Sequence, residues 1–391
     1  MKIGINGTGI AGLTLAYWLK KYGHEPILYE RAPALRKGGY IVDFWGLGYD
    51  IAEMMGLIPA IKEHGYQVKE LLSVDGEGKT RAQMPVSTVS EIVNGRYISI
   101  SRSHLASIIF DALEGVETHF GQSIVALEED NDGVNVTLSD GSAERFDLII
   151  GADGLHSHIR SLVFGVESEF EHDLGAYVAA FTINDYPHRN EEQYIVHPEP
   201  CYQISRFSMR DNKTLILFTF SRELVRHKPA NEAEEKALLH EIYNHCGWEA
   251  KEILNYLDAA DDFYFDTVSQ IQMPHWSKGR IALIGDAAAC ASLLAGEGTG
   301  LGMTEAYTLA GELHKASCNY KAAFAAYEAE LKLFLHEKQK AASKMVTFFA
   351  AESYMSIILV RLGINLASIP LFTKLLLGNT VKDNYKLKHY G

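Results

Sequence analysis

The strongest constraint on this chain's fold lies near its start, where Lys2 to Asn6 reads as a short buried strand running into Gly7-Thr8-Gly9-Ile10-Ala11-Gly12. A helical run follows to Lys21 and stops at Gly23. In such a strand, turn and helix each glycine has its own task. Gly7 makes the tight turn, Gly9 lets the backbone approach a pyrophosphate, and Gly12 lets the helix pack closely on the strand. Backbone N–H groups at the helix start, around Ile10 and Ala11, then face the phosphates.

The next strand, Pro26 to Tyr29, ends at Glu30, 18 residues past Gly12, where a carboxylate accepts from ribose hydroxyls. An acid there disfavours a 2'-phosphate, so NADP is not expected as the ligand held at this turn. The loop that follows, Arg31 to Gly39, is basic and ends in Gly38-Gly39. It offers Arg31 and Arg36 to the nucleotide and Gly39 to a flat ring, and a solvated basic loop is its other reading.

Two later segments repeat the pattern of an apolar strand relieved by glycine. Asp147 to Ile150 runs into Gly151-Ala152-Asp153-Gly154, and Arg280 to Ile284 into Gly285-Asp286-Ala287-Ala288. After the second comes Ala295-Gly296-Glu297-Gly298-Thr299-Gly300 and a helix to about Lys315. An acid at a strand end binds ribose or ribityl hydroxyls, and a helix N-terminus favours the negative charge of a reduced flavin. Asp-Gly alone also makes an ordinary turn.

Taken in order, Gly7-x-Gly9-x-x-Gly12 with Glu30, Gly151-Ala152-Asp153-Gly154 and Gly285-Asp286-Ala287-Ala288 resemble the FAD-dependent monooxygenases of the para-hydroxybenzoate hydroxylase type. The likeness covers most of positions 1 to 335. Arg36-Lys37-Gly38-Gly39 and Asp262 to Asp266 look similar to the tetracycline-inactivating and polyketide-oxidising members. The resemblance implies an α/β fold with a Rossmann-like FAD-binding domain, an inserted β-sheet substrate domain and a C-terminal helical segment. It assigns residues 1–75, 96–170 and 266–318 to the first, 76–95 and 171–265 to the second, and 319–391 to helices bracing the two.

By the same resemblance Arg102 contacts FAD, Asp286 hydrogen-bonds it, and Gly296, Gly298, Thr299 and Gly300 approach the flavin ring. Asp153 and Arg160 support the nucleotide region. Many members carry a proline before that glycine loop and an asparagine after it, whereas this chain has Leu293-Leu294-Ala295 and closes at Gly300.

The middle region alternates strands, Gly175 to Ile183, Tyr202 to Phe207 and Thr214 to Ser221, and then turns helical from Asn231 to Tyr243. In the resembled family the inner face of this sheet shapes the substrate pocket. Tyr177, Phe181, Tyr202, Phe207, Phe218 and Phe220 are therefore candidate lining residues, with ordinary core as the competing reading. From Tyr320 to Gln339 aromatic and leucine positions recur at three- and four-residue steps, the mark of a helix. Met345 to Leu377 reads as one or two buried helices broken near Pro370, or as a peripheral membrane contact. The charged end, Lys382 to Gly391, reads as loose.

Composition narrows the field. With 50 acids against 36 bases and no dense Lys/Arg run, a nucleic-acid surface is not expected. Cys201, Cys246, Cys290 and Cys318 form no paired motif, which speaks against disulfides and zinc and for a reducing cytoplasm. His156 and His158 flank Ser157, but no G-x-S-x-G elbow accompanies them.

The implied activity is that of an oxidoreductase using FAD, NAD(P)H as a transient reductant, and O2 to hydroxylate an aromatic, polyketide or tetracycline-like small molecule through a flavin hydroperoxide. No side chain is required as a covalent catalyst, and no metal. The expected assembly is a monomer or homodimer. Competing readings are a reductase or dehydrogenase on the same fold, and a flavin-bound protein that only binds ligand.

Overall fold

The computed structural model describes residues 1–36, 40–188, 190–369, 383 and 385–391. At its centre lies a six-stranded sheet in the order Ser277–Lys278, Ile281–Leu283, Leu148–Gly151, Lys2–Asn6, Glu25–Glu30, Glu117–Phe120. All neighbours are parallel except the short edge pair Ser277–Lys278 and Ile281–Leu283. The inner strands carry apolar, buried centres, Ile3 to Ile5, Ile27 to Tyr29 and Leu148 to Ile150, as a sheet covered on both faces requires. Asn6 pairs with Gly151, and Gly151 with Leu283. That register brings all three glycine turns out at one carboxyl edge of the sheet, the place where open α/β sheets bind ligands.

A second, seven-stranded sheet stands beside it, in the order Tyr264–Ile271, Glu171–Asn184, Lys213–Ser221, Tyr202–Ser208, Gln193–Glu199, Glu70–Val74, Thr80–Pro85. From Ala176 to Phe181 its side chains alternate between the two faces. Tyr177, Ala179 and Phe181 point to helices Glu232–Tyr243 and Ala250–Leu257, while Ala176, Val178 and Ala180 point the other way. Two expected domain edges fall within strand pairings of this sheet. Glu70–Val74 joins Gln193–Glu199, so the boundary at 75/76 cuts a hairpin, and Tyr264–Ile271 pairs with Glu171–Asn184 across the boundary at 265/266. Strand pairing at a distance outweighs any local signal there. A two-stranded ribbon, Ile41–Phe44 with Ile98–Ser101, lies between the sheets in sequence and leads into helix Arg102–Asp111.

The core helix Gly298–Lys315 is buried along most of its length, and the long helix Tyr320–Phe349 packs on it through Phe324, Tyr327 and Leu331. Gln339 fastens the long helix. Its amide donates to the carbonyls of Ile271 and Cys290, at 2.7 and 3.1 Å, and its own carbonyl accepts from Gln270. Farther along, Thr219 donates to the Phe349 carbonyl, so this helix touches both sheets' surroundings.

Ser353 caps a last helix, Tyr354–Ala367, held to the hairpin of residues 70–85 by Arg361, which donates to Ser73 Oγ and the Val74 carbonyl. Met355, Ile358, Leu359 and Leu362 are exposed on it. Among the described residues no helix is long and apolar enough to cross a membrane. The expected break at Pro370 lies outside the described residues; the break that is described falls between Phe349 and Tyr354.

The end of the chain, read from sequence as loose, is instead fastened. Tyr390 lies flat against Gly311 and donates to Glu312 at 3.0 Å, Tyr385 donates to Glu330, and Tyr307 donates to the Lys388 carbonyl. The missing side chain at Gly311 makes the flat seat for Tyr390.

Candidate functional site

The first turn is built by three different uses of glycine. Gly7 has φ +114°, and its backbone presses on the Ala152 carbonyl. A Cβ on Gly12 would collide with the Gly7 carbonyl, so helix Ile10–Lys21 can approach the turn only through glycine. Gly9 is different: the nearest atom to a Cβ placed there is Arg102 Nη2 at 4.0 Å. Gly9 is also the N-cap of that helix and gives no side-chain cap, so the N–H groups of the first turn stay available. Ile10 is buried, and Ala11 packs under Gly285 and Gly302.

Glu30 faces this turn. Its carboxylate accepts from the Thr8 N–H at 3.0 Å, the Thr8 hydroxyl at 2.9 Å and the Ala32 N–H at 2.9 Å. Burial alone would raise its pKa, but these bonds and the Arg36 charge outweigh it and lower the value, so Glu30 stays ionised. Arg31 and Arg36 are both exposed in the following loop. Gly39 lies outside the described residues.

Asp153 is occupied within the protein. Its carboxylate accepts from Asn6, Ser157 Oγ and the N–H groups of His158 and Ile159, which braces the first strand to helix His158–Val163. Arg160, fully buried, donates to the carbonyls of Leu155 and Ala287 and pairs with Glu167 at 2.8 Å. The second and third turns are thereby joined.

At the third turn Gly285 takes φ +62°, and Asp286 comes within 3.8 Å of where a Cβ on Gly298 would stand. Burial and the Asp286 charge hold the Cys290 thiol well above its ordinary range. The core helix begins at Gly298 with no side-chain cap, because Glu297 turns instead to Lys338 at 2.8 Å. Thr299 and Gly300 are half-buried beside it, and Gly300 backs onto Gly48. Where many relatives by resemblance have proline, Leu293–Ala295 forms a 3₁₀ turn closed by left-handed Gly296, φ +68°.

Between the two sheets a cleft brings the expected Arg102 together with Tyr40, Asp43, Trp45 and Tyr97, for which the sequence offered no role. Arg102 donates its N–H to the Tyr40 carbonyl at 3.1 Å and holds its guanidinium 5.8 Å from the Tyr40 ring centre. Asp43 accepts from Tyr97 Oη and Ser99 Oγ, both at 2.6 Å, and stays solvent-accessible although protein surrounds it. Burial pushes the Asp43 carboxyl up. Tyr97 stacks on Trp45 at 6.0 Å, and a hollow lined by Asp43, Trp45, Gly48, Glu297 and Gly300 opens beside them. An acid inside Ile41-Val42-Asp43-Phe44 was the one sequence signal; the tyrosines carried none.

The expected pocket residues need correction. Tyr177, Phe181, Tyr202, Phe218 and Phe220 pack with Leu239, Tyr243 and Ile253 of the two helices, on the sheet face away from the dinucleotide turns. Only Phe207 of the six faces the cleft, against Tyr66 and Tyr194 at 5.4 and 6.5 Å. Gln203, Ser205 and Thr219, all buried, share its side of the sheet.

The room over Gly9, the two uncapped helix starts at Ile10 and Gly298, the ionised Glu30 and the cation of Arg102 form one surface suited to a diphosphate, a ribose and a ring able to take negative charge. FAD fits those residues. Among the described residues no group of His, Cys, Asp or Glu could hold a metal ion.

A family model described as "FAD binding domain" matches residues 1–346. A flavin-dependent monooxygenase from an unknown prokaryotic organism is 37% identical over 340 residues, 87% of each chain. The crystal structure of the tetracycline destructase Tet(51) superposes with a TM-score of 0.83 at 32% identity, covering 100% of this chain and 99% of that one. Klebsiella pneumoniae HpxO, solved with FAD and uric acid, shares the fold at 20% identity and a TM-score of 0.79, covering 97% and 96%.

Proposed function

This chain belongs to the FAD binding domain family as an FAD-dependent monooxygenase, and from that premise we propose that it oxygenates a flat, oxygen-rich ring system such as a phenol, an enolic polyketide or a tetracycline. O2 and a small organic molecule are its substrates. The observation that carries the substrate class is the cleft itself, where Tyr40, Trp45, Tyr97, Tyr194 and Phe207 supply ring faces and Gln203 and Ser205, bonded to each other, supply buried polar groups. The likeness to Tet(51) supports the tetracycline arm of this reading.

FAD, when bound, supplies the redox chemistry, taking electrons from NAD(P)H and delivering them to O2 so that one oxygen atom enters the substrate. The residues that would hold it are those of the three turns. Gly7, Gly9, Ile10, Ala11 and Gly12 receive the diphosphate, and Glu30 the ribose. Arg102 and Asp286 flank the middle of the cofactor, and Gly298 to Gly300 present N–H groups to its ring. Asp153 and Arg160 act as braces behind them, and Arg31 and Arg36 add positive charge at the rim. The seven-stranded sheet covers the cleft and keeps water from it.

The four cysteines are free, which fits a reducing compartment such as the cytoplasm. A monomer or homodimer suffices, since both walls of the cleft come from one chain. The test is NAD(P)H oxidation and O2 uptake by the FAD-loaded protein against phenols, quinones and tetracyclines, with product mass. A substrate that gains 16 mass units while speeding O2 uptake supports the reading, as expected for one added oxygen atom. Turnover without O2 uptake would point to the dehydrogenase, and NAD(P)H oxidation unchanged by every compound to a ligand-binding protein.

A further inference from the structure

Two helices begin side by side at the flavin end of the cleft, Gly46–Met54 and Gly298–Lys315. A Cβ on Gly48 would stand 2.6 Å from Gly300 Cα, so their first turns are in backbone contact. Neither is capped by its own N-cap side chain, Trp45 in the first and Glu297 in the second. The missing cap of the first comes from the far end of the chain: Asp383 Oδ2 accepts the Leu47 N–H at 3.0 Å. Asp383 Oδ1 pairs with Lys338 Nζ at 2.8 Å, and the same ammonium pairs with Glu297 Oε2 at 2.8 Å.

All three charged side chains are largely buried, at 11% exposure for Lys338, 14% for Glu297 and 13% for Asp383. Geometry therefore fixes this triad far more firmly than it would a surface pair. Two carboxylates share one ammonium, beside the N-terminal turn that carries Gly298 to Gly300. Glu297 and Asp383 both line the hollow next to Gly300.

We propose that Asp383, acting through Lys338, is a positioning residue for the flavin site: it sets the spacing of the two helix starts, and its charge opposes negative charge on the reduced ring. The proposal rests on the reading that the start of the core helix receives the flavin. It gives the chain's end a role in the site, although the family match stops at residue 346. The strap of Tyr385, Lys388 and Tyr390 delivers Asp383 by anchoring to the opposite end of the core helix and to the long helix.

The test compares wild type, Asp383→Asn, Asp383→Glu and Arg145→Met, the last removing an exposed pair with Asp130 that lies outside the strap and the two helix starts. FAD affinity is read by fluorescence quenching on titration into apoprotein, the midpoint potential of the holoprotein by dye equilibration, and fold by melting of the apoprotein. Asp383→Asn should bind FAD about tenfold more weakly, as expected for loss of a buried charge-assisted bond. Its potential should move positive, because a negative charge near the reduced ring is gone. Asp383→Glu should restore the potential toward wild type, and Arg145→Met should leave both readings unchanged. A midpoint potential in Asp383→Asn equal to wild type, whatever its melting temperature, would overturn the proposal and leave Asp383 a mere fastening. Wild-type apoprotein that took up no FAD would overturn the reading beneath it instead.

Discussion

The Glu305 carboxyl, sealed in the interior, accepts the Gly285 N–H at 2.9 Å and so holds the backbone on which Asp286 stands. Tyr327 donates to the same oxygen at 3.0 Å. Burial, outweighing both bonds, pushes the Glu305 pKa from its ordinary 4.5 up to about 8.

A pH dependence follows with a definite sign. Because the folded-state value lies above the ordinary one, the folded protein holds a proton that the unfolded chain has lost, and Glu305's contribution to stability is full below pH 4.5 and vanishes as pH rises through about 8. Apoprotein melting temperature should therefore fall between pH 4.5 and about 8. Glu305→Gln, neutral throughout, should flatten that fall. Parallel melting curves for the two proteins across this range would count against a protonated Glu305.

Gly9 and Gly12 separate binding from folding. A Cβ at Gly9 meets nothing closer than Arg102 Nη2 at 4.0 Å and the backbone there has φ −69°, so Gly9→Ala should fold and melt near wild type. The new methyl would occupy the approach of the diphosphate, and FAD affinity should drop at least about tenfold. Gly12→Ala drives a methyl into the Gly7 carbonyl and should destabilise the apoprotein by about 1–3 kcal/mol, the usual cost of overpacking. Equal melting temperatures for the two variants would contradict this division.

His156 joins the second turn to the seven-stranded sheet, with Nε2 near Asp266 at 3.1 Å and Nδ1 near Glu167 at 2.9 Å. The bond to Asp266, with help from Glu167 and against burial, raises its pKa from 6.5 to about 9. The stabilisation is fully present below pH 6.5 and is lost as pH passes about 9. With the ring half exposed, the effect on stability is small. An NMR titration of the imidazole should find a midpoint near 9 in wild type and a lower one in Asp266→Asn. A wild-type midpoint near 6.5 would show that the clasp does not form.

How much of this was legible beforehand depends on distance along the chain. The Gly7 to Gly12 turn, Glu30 and the two later turns could be read because each is a local strand, glycine and helix pattern whose physics is complete within about thirty residues. Side-chain direction on the second sheet could not. The aromatic residues of Glu171–Asn184 and Lys213–Ser221, namely Tyr177, Phe181, Phe218 and Phe220, share one face, and only the packing of helix Glu232–Tyr243 decides that this face is core and not cleft. Asp383 was illegible for the same reason: its partner Leu47 lies 336 residues away. The hairpin at residues 70–85 straddles the expected edge at 75/76, and nothing local marks it, because its parallel neighbour, Gln193–Glu199, comes much later in the chain.

That two-faced sheet gives the sharpest mutational contrast. Phe218, fully buried, packs at 4.5 Å from the Tyr243 ring on the helix side, whereas Tyr194 stands on the cleft side with Phe207 and near Asp43. Phe218→Ala removes a core ring and should cost about 3–5 kcal/mol of stability. The molecules that remain folded should keep the wild-type KM, because no atom of Phe218 borders the cleft. Tyr194→Ala should do the reverse, with a melting temperature close to wild type and kcat/KM lowered about tenfold, chiefly through KM. Thermal melts and steady-state O2 uptake on the same preparations measure both quantities. Should Phe218→Ala raise KM while Tyr194→Ala leaves it alone, the pocket would lie on the helix-facing side after all.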